Sequence, residues 1–352
     1  MNPTIAIVGA TGAVGMECLR ILEQRSFPHA SVKLLASARS AGRELPFGGR
    51  GLKVEELGER SFDGVDLAFF AADAATSKHH APRVAAAGGI AIDKSSGFRM
   101  DPSAPLVIPE VNGGDLAGLR RSAGKGAGGI VAVPNCSTII LLVPVEPLRR
   151  AFGIERMVVS TYQAASGAGA EAMAELQDQT RAVLAGETAE PRIFREPCAF
   201  NVFSHDSAID PETGMNGEEE KMVAETRRIW GDPAAKVSAT CVRVGVMRGH
   251  SEAITLTLRT PATEEQVRDA LSRGRGLWII DDRAANQFPT PLKASHGDDV
   301  LVGRIRPDLS QEGHEAARKR YYKGWSLFVS GDQLRKGAAL TAVQIAEELF
   351  GG

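Results

Sequence analysis

One cysteine in this sequence stands where the backbone itself could activate it. Cys136 follows the apolar run 129–133, which predicts a strand, and precedes the apolar run 139–143, which predicts a helix. A cysteine at a helix start lies near unpaired N–H groups and the positive end of the helix dipole, and both stabilise the nucleophilic thiolate. A free cysteine is more often only a small buried hydrophobe, and we expect that role for the other three cysteines. Cys136 is therefore predicted to be a catalytic nucleophile.

A second group of candidates follows the last strands of the sequence pattern. Gln163 ends the strand-like run 156–163, and its amide could hydrogen-bond a ligand without titrating. If the runs 237–246 and 250–258 pair as a hairpin, Arg243 and His250 flank its turn nearly opposite each other. A guanidinium for a carboxylate and an imidazole for proton transfer would then lie together. Taken alone, His250 is more often a structural turn histidine.

A glycine-rich turn near the N-terminus indicates dinucleotide binding. Glycines 9, 12 and 15 follow the apolar run 4–8 and precede a helical pattern over 16–22. Such glycines let backbone N–H groups approach a pyrophosphate at a helix N-terminus. The spacing departs from the commonest dinucleotide pattern, but the strand, turn and helix context supports the interpretation.

The next strand suggests which dinucleotide is bound. The run 31–36 lacks the terminal acid that would bind the ribose 2′-hydroxyl of NAD. Arg39 and Ser40 come there instead, and we expect them to bind the 2′-phosphate of NADP. The alternative is that Arg39 is only a solvated loop cation.

The remaining pattern predicts an α/β fold with two domains. Strands at 66–70 and 90–93 with a helix at 76–87 between them predict a Rossmann-type, doubly wound parallel sheet. Strands near 298–306 and 325–329 predict a largely antiparallel or mixed sheet in an α+β second domain, and a helix at 334–350 ends the chain.

Composition narrows the classes of partner. A chain of 352 residues usually forms more than one domain. Its 41 Lys and Arg nearly balance 43 Asp and Glu, which gives no electrostatic reason to expect nucleic acid or a membrane surface, so small molecules are the expected partners. The four cysteines form no metal-binding or disulfide pattern, and the adjacent histidines 79 and 80 point to different helix faces. We therefore expect no metal site. The sequence shows no signal peptide and no apolar run of membrane-spanning length, so we expect a cytoplasmic location.

Six motifs together show a resemblance to the aspartate-β-semialdehyde dehydrogenase family over essentially the whole chain. They are Gly9 to Gly15, Ile108 to Asn112, Pro134 to Thr138, Thr161 to Gln163, Arg243 to His250 and Asp332 to Ala339.

The resemblance implies a role for each matching residue. Cys136 is implied as nucleophile and His250 as general acid/base, with Gln163 and Arg243 as substrate ligands. Arg99 and Lys221 match phosphate-binding positions, and one of Glu218 and Glu219 matches a substrate-side carboxylate, with the choice left open. The implied NADP contacts are Gly9, Thr11, Gly12, Ala13, Val14, Arg39, Ser40, Ser166, Gly167 and Gln333.

The family also implies a domain organisation and an activity. Residues 1–134 would bind NADP, completed by the C-terminal helix 332–352, and residues 135–331 would form the catalytic and dimerisation domain of a homodimer. The expected reaction is reduction of L-aspartyl 4-phosphate by NADPH to the semialdehyde and phosphate, through a cysteine thioester, in lysine (through diaminopimelate), threonine and methionine synthesis. The alternatives are an N-acetyl-γ-glutamyl-phosphate reductase and a catalytically silent binding relative.

Several positions depart from the family pattern. The departures are Val133, Ile140, the pair Gly113 and Gly114, the segment Phe203 to Asp206, and Gln333 in place of an asparagine that contacts the cofactor. We expect Gln333 to make a weakened or relocated contact at most.

Overall fold

The computed structural model describes residues 2–120 and 128–351, which form two compact units. The first unit comprises the described residues up to Asn135 together with the segment from Gly337 to the C-terminus, and the second runs from Cys136 to Lys336. The chain therefore passes from one unit to the other at the bond before the predicted nucleophile. Residues 332–336, assigned from the sequence to the first domain, belong to the second unit.

The first unit is built on a seven-stranded sheet with strand order β3-β4-β2-β1-β5-β6-β7. Only the β3–β4 pair is antiparallel, so the Rossmann-type parallel sheet is confirmed. The strands are β1 (Thr4–Val8), β2 (Ser31–Ala36), β3 (Glu44–Phe47), β4 (Arg50–Glu56), β5 (Leu67–Phe70), β6 (Ile90–Asp93) and β7 (Gly129–Ala132). The helices are α1 (Ala13–Gln24), α2 (Ala74–Ala86), α3 (Pro109–Asn112), α4 (Ala117–Arg120) and the C-terminal α10 (Leu340–Phe350). The central strands are apolar and buried, as expected for a sheet with helices on its faces.

The turn between β1 and α1 needs its glycines. Gly9 has φ +77°, and a Cβ there would lie 2.5 Å from the carbonyl oxygen of Ala71. A Cβ at Gly15 would collide with the carbonyl oxygen of Gly9. Gly12 is the N-cap of α1 and supplies no side-chain cap, so the first N–H groups of this helix receive no side-chain hydrogen bond from the N-cap.

The C-terminal helix α10 packs against α1, α3 and α4 within the first unit. Arg25 at the end of α1 donates two hydrogen bonds to Glu347 on α10, at 2.6 and 2.8 Å. Apolar packing is reinforced here by a bidentate ion pair between segments far apart in sequence.

The second unit is built on an eight-stranded mixed sheet. Its order is β12-β13-β15-β11-β8-β10-β9, with β14 paired to β15. The strands are β8 (Ile154–Gln163), β9 (Val202–Ser204), β10 (Val237–Val244), β11 (His250–Ala262), β12 (Leu277–Ile279), β13 (Val300–Pro307), β14 (Gly313–Ala316) and β15 (Lys319–Gly331). The helices are α5 (Cys136–Phe152), α6 (Ala170–Leu184), α7 (Gly217–Trp230), α8 (Glu264–Ser272) and α9 (Pro291–Ala294). Arg335–Ala339 forms a π-helical turn before α10.

Helix α5 covers one face of this sheet and thereby positions the predicted nucleophile. It packs on β8, β11, β13 and β15. A Cβ at Gly331 would lie 2.9 Å from Cγ1 of Ile140, so β15 and α5 approach closely at that point. The apolar residue at 140, a departure from the family pattern, is thus packed against a glycine in the core.

The hypothesis of a hairpin between 237–246 and 250–258 is wrong. β10 pairs with β8 in parallel, and β11 pairs with the other edge of β8 in antiparallel. β8 therefore separates the two strands, and their connection crosses over it.

Among the described residues, no helix is long and apolar enough to cross a membrane.

Candidate active site

The buried amide of Gln163, the last residue of β8, links three elements of the second unit. Its Nε2 donates to Oγ of Ser137 at 2.8 Å and to Oε1 of Glu218 at 3.2 Å. Its Oε1 accepts a longer contact of 3.5 Å from Nη1 of Arg243. The first turn of α5, the first turn of α7 and the end of β10 therefore meet at one side chain.

Cys136 is the first residue of α5, as the sequence predicted, and it is half-buried. Its neighbour Ser137 accepts the hydrogen bond from Gln163. The other three cysteines are buried and none forms a disulfide. Burial raises the pKa of Cys198 to about 11 and raises the pKa values of Cys18 and Cys241 further. Position and exposure thus single out Cys136 among the four.

Arg243 lies beside Gln163 because the parallel register of β10 and β8 pairs the two residues. Its side chain is buried, and its Nε donates to Oδ1 of Asp206 at 2.8 Å. Burial alone would raise the pKa of Asp206, but the charge and hydrogen bond of Arg243 outweigh burial and lower it. Asp206 is therefore an ionised partner of Arg243, the side chain predicted to bind the carboxylate of a substrate.

His250 is fully buried at the start of β11. Its Nδ1 accepts a hydrogen bond from the backbone N–H of Ala164 at 3.0 Å, so the neutral ring carries its proton on Nε2. Burial, reinforced by the nearby charge of Arg243, lowers the pKa of His250 to about 3. Among the described residues, Nε2 has no hydrogen-bond partner.

Gly167 brings Arg243 and His250 together even though their strands do not pair. A Cβ at Gly167 would lie 3.0 Å from Nη1 of Arg243 and 3.0 Å from Cε1 of His250. The turn containing Gly167 follows β8, the strand between β10 and β11, and so it reaches both side chains.

The structure distinguishes the two glutamates in the first turn of α7. Glu218 is buried, and in addition to its contact with Gln163 it receives Nζ of Lys221 at 3.3 Å. Glu219 instead accepts the backbone N–H groups of Asn216 and Cys241, both at 2.9 Å. Together with the side chain of Asn216 it forms a capping box, so Glu218 and not Glu219 faces the site.

Gln333 uses its amide within the protein. Its Oε1 accepts the N–H of Gly249 at 2.9 Å, and its Nε2 donates to Oγ of Ser166. Gly249 directly precedes His250, while Ser166 directly precedes Gly167. Gln333 thus connects the two turns that carry predicted site residues.

The remaining candidates lie in the first unit. Arg99 is buried, and its guanidinium donates to the backbone carbonyls of Val133 at 3.0 Å and Lys94 at 2.8 Å. The departure at 133 therefore leaves this contact intact, because the carbonyl belongs to the main chain.

The predicted cofactor residues of the first unit surround the start of α1. Ala13 and Val14 form its first turn, and Thr11 Oγ1 donates to Oγ of Ser40 at 3.3 Å. Arg39 is exposed in the 3-10 turn that follows β2. Within the described ranges, no cluster of His, Cys, Asp and Glu could hold a metal ion.

Comparisons with known proteins agree with this architecture. Residues 4–119 match a family model described as the NAD binding domain of semialdehyde dehydrogenase. Residues 145–336 match its dimerisation domain. The chain is 45% identical over 345 residues to aspartate-semialdehyde dehydrogenase of Synechocystis sp., covering 98% of this chain and 96% of the relative. The chain belongs to the aspartate-semialdehyde dehydrogenase family.

Another relative and a solved structure also match this chain over nearly its whole length. The enzyme of that name from Aquifex aeolicus is 44% identical, with 99% of this chain and 98% of the relative covered. A crystal structure of aspartate semialdehyde dehydrogenase II from Vibrio cholerae, complexed with ASA, superposes with TM-score 0.90 at 41% identity, covering 99% of this chain and 98% of that one.

Three side chains at the site were not among the predicted residues. Ser137 adjoins the nucleophile, and its hydroxyl orients Gln163. Glu252 lies two residues after His250 on the same face of β11, and Asp206 pairs with Arg243. The alternation of side chains along a strand could have indicated Glu252, because it lies on the same face as His250. Asp206 was recognisable only as an acidic residue in a segment that departs from the family pattern.

Proposed function

We propose that this chain is an aspartate-semialdehyde dehydrogenase, which reduces L-aspartyl 4-phosphate with NADPH to L-aspartate 4-semialdehyde and phosphate. This step belongs to the synthesis of lysine, threonine and methionine. The observation that carries the proposal is the buried amide of Gln163, which joins the helix turn of Cys136 to Arg243 and Glu218. A thiol, a carboxylate receptor and an acid are thereby grouped around a hydrogen-bonding amide.

Arg243 would bind the α-carboxylate of the substrate, and Gln163 and Glu218 would contact the rest of its polar end. The guanidinium presents a rigid fork of donors that suits a carboxylate. Its Nε is held by Asp206, so the terminal nitrogens form the edge for substrate.

The thiolate of Cys136 would attack the acyl carbon of aspartyl phosphate. The carbon–oxygen bond to phosphate breaks, and a thioester forms as phosphate leaves. NADPH supplies a hydride for reduction of the thioester carbon. The resulting oxyanion collapses to the aldehyde, and the carbon–sulfur bond breaks to restore the thiolate.

His250 fits the role of a hydrogen-bond donor in these reaction steps. A pKa of about 3 leaves the ring neutral at pH 7, with the proton on Nε2. The collapse described above needs no proton transfer, because the thiolate leaves as the oxyanion becomes the aldehyde. A neutral Nε2–H aimed at that oxygen would stabilise its charge without delivering a proton. This proposed role differs from the general acid/base role that the resemblance implied for His250.

The residues of the first unit fit a dinucleotide. The glycines around Gly12 bring the backbone close to the start of α1, and no side chain of the N-cap occupies those N–H groups. Thr11, Ala13 and Val14 would contact the pyrophosphate. Arg39 and Ser40 would bind the 2′-phosphate of NADP.

Other members of the predicted set would complete the binding of cofactor and phosphate. Ser166 and Gly167 would contribute cofactor contacts, and Gln333 would act through Ser166 rather than by touching the cofactor. Arg99 and Lys221 would each bind the phosphate group. We further propose a cytoplasmic homodimer, in keeping with the dimerisation-domain match over 145–336.

The direct test is NADPH formation from aspartate semialdehyde, NADP and phosphate, run in parallel with N-acetyl-glutamate semialdehyde. We expect phosphate-dependent turnover of aspartate semialdehyde, and we expect Cys136→Ala to abolish it because the thioester cannot form. NADPH binding by the variant, measured by fluorescence titration, should be unchanged.

The control is Cys18→Ala, which removes a buried thiol of α1 and should keep activity. If only the N-acetylated substrate is turned over, aspartate semialdehyde is not the substrate. Full activity of Cys136→Ala would refute the covalent mechanism.

A further inference from the structure

Asp332 is a fully buried acid directly after β15, and it binds donors from three segments of the second unit. Its Oδ2 accepts Nε of Arg248 at 2.7 Å and the backbone N–H of His296 at 2.6 Å. Its Oδ1 accepts the backbone N–H groups of Leu334 and Arg335, at 2.9 and 3.0 Å. The two oxygens therefore have separate tasks: Oδ1 closes the turn after β15, and Oδ2 holds two segments from earlier in the chain.

The turn formed by Arg248 and Gly249 leads directly into His250. Gly249 has φ +90°, and a Cβ there would lie 2.7 Å from the carbonyl oxygen of Pro291, so the turn packs closely on α9. Two adjacent residues after β15 hold this turn. Asp332 accepts the side chain of Arg248, and Gln333 accepts the N–H of Gly249 at 2.9 Å.

The segment after α9 supports the same turn and is itself held by Asp332. Oγ of Ser295 donates to the carbonyl of Arg248 at 3.2 Å. The next residue, His296, has φ +66°, a conformation that a non-glycine residue keeps only where its surroundings fix it. Its N–H is the second donor to Oδ2 of Asp332. One carboxylate oxygen thus holds both the turn and the segment on which the turn rests.

The direction of the His250 side chain depends on this support. Its Nδ1 is held by the N–H of Ala164 at 3.0 Å, but Nε2 has no hydrogen-bond partner among the described residues. The direction of Nε2–H is therefore set by where the backbone places the ring. A donor that stabilises developing charge must be placed to within a fraction of an ångström.

Arg248 and Asp332 form a buried ion pair, with side chains 14% and 0% exposed. Such a pair adds little net stability because both charges must leave water, so a role in geometry is the better account of it. Assuming the proposed function, we infer that Asp332 is a positioning residue for His250, which holds the preceding turn so that Nε2–H points at the oxyanion.

Asp332→Asn tests this because it separates the two tasks of the carboxylate. The amide oxygen can still accept the N–H groups of Leu334 and Arg335, whereas the amide nitrogen cannot accept from Arg248 or His296. Hydride transfer is followed by stopped flow with aspartate semialdehyde, phosphate and enzyme in excess over NADP. We expect its rate constant to fall about tenfold, because a misdirected donor loses part of the oxyanion stabilisation.

The deciding comparison repeats the substitution in a His250→Ala background. If Asp332 acts through His250, Asp332→Asn should change the rate constant of that variant by less than about twofold. This first-order constant does not depend on the active fraction of a preparation, so partial misfolding cannot imitate the effect.

Two further variants complete the test. Arg248→Met removes the donor from the other side of the ion pair, and it should cause the same loss, again only where His250 is present. It decides the question if Asp332→Asn does not fold. Asp298→Asn is the matched control, because it removes an acid paired with Arg335 in the same region and should leave the rate constant unchanged.

Each other outcome overturns the inference. A loss that persists in the His250→Ala background would mean that Asp332 supports other parts of the site rather than His250. Unchanged rate constants in Asp332→Asn or Arg248→Met would mean that the turn does not need the ion pair. Absence of aspartate semialdehyde turnover in the unmodified protein would instead refute the proposed function itself.

Discussion

Glu252 is a buried acid at the centre of the second sheet. It follows His250 by two residues on β11 and pairs in register with Thr161 of β8. Both carboxyl oxygens are buried without a hydrogen-bond partner among the described residues. Burial, with a smaller effect of the Glu218 charge, raises the pKa of Glu252 well above its ordinary value of 4.5. The group is therefore held as a neutral acid beneath the site.

Stability should depend on pH through this residue. Between pH 4.5 and the raised folded-state pKa, the folded protein binds more protons than the unfolded chain at Glu252, so the free energy of unfolding falls as pH rises. Glu252→Gln removes this ionisation. We expect the variant to gain stability relative to the unmodified protein at pH 8, and the gain to shrink toward pH 4.5, in denaturant titrations across that range. A difference that is constant with pH would contradict a buried neutral acid. Glu265→Gln, which removes an exposed acid paired with Lys319, is the control.

At the scale of elements, the first turn of α7 separates two adjacent glutamates by function. Helical geometry turns successive side chains by about 100°, so one faces the site while the next caps the helix. Glu219 completes the capping box with Asn216, and Glu218 contacts Gln163.

The two glutamates should give different defects when changed. Glu218→Gln should lower kcat/KM for aspartate semialdehyde with little change in unfolding midpoint. Glu219→Ala should lower stability by about 1 kcal/mol, the usual value of a helix cap, because the N–H groups of Asn216 and Cys241 lose their acceptor. Steady-state kinetics and denaturant titration of both variants test this, and an exchange of the two phenotypes would reverse the assignment.

The turn after β2 is the second element whose proposed role can be tested by a single substitution. Arg39 is exposed there, and Ser40 beside it is buried. We expect Arg39→Ala to raise KM for NADP by about tenfold through loss of a charge-assisted hydrogen bond to the 2′-phosphate, and to leave KM for NAD unchanged. Arg43→Ala, another loop arginine shortly after the turn, is the control. Parallel loss with both cofactors would show that Arg39 does not read the 2′-phosphate.

At the scale of the whole molecule, the second unit exposes apolar side chains around its edge strand β9. Phe200 and Val202 are 70% and 64% exposed, and β9 ends the strand order of the sheet. Exposed apolar residues next to a sheet edge are a feature of interfaces between proteins. The match to a dimerisation domain covers this segment.

We predict a dimer whose mass in sedimentation equilibrium is close to twice the 37.3 kDa of one chain. Val202→Lys would place a charge within the expected interface, so the fitted dissociation constant should rise at least about tenfold. Leu309→Lys changes a side chain that is 86% exposed and away from β9, and it should leave the dimer unchanged. A monomeric protein, or equal effects of both variants, would contradict this interface.

The sequence by itself determined the elements whose signal is local. β1, β2 and β6 have the predicted bounds, because an apolar run reflects burial within one segment. The turn that carries Cys136 was predictable for the same reason, since a strand and a helix start flank it. The glycine turn before α1 also follows from local backbone requirements.

The tertiary structure decided which elements became neighbours. β10 and β11 are consecutive and looked like a hairpin, yet β8, from far earlier in the chain, pairs with both. Arg243 and His250 therefore meet across the turn of Gly167 rather than across a hairpin. The partner of Arg243, Asp206, was equally hidden, because such pairings depend on the free energy of burying distant segments together, which no local pattern records.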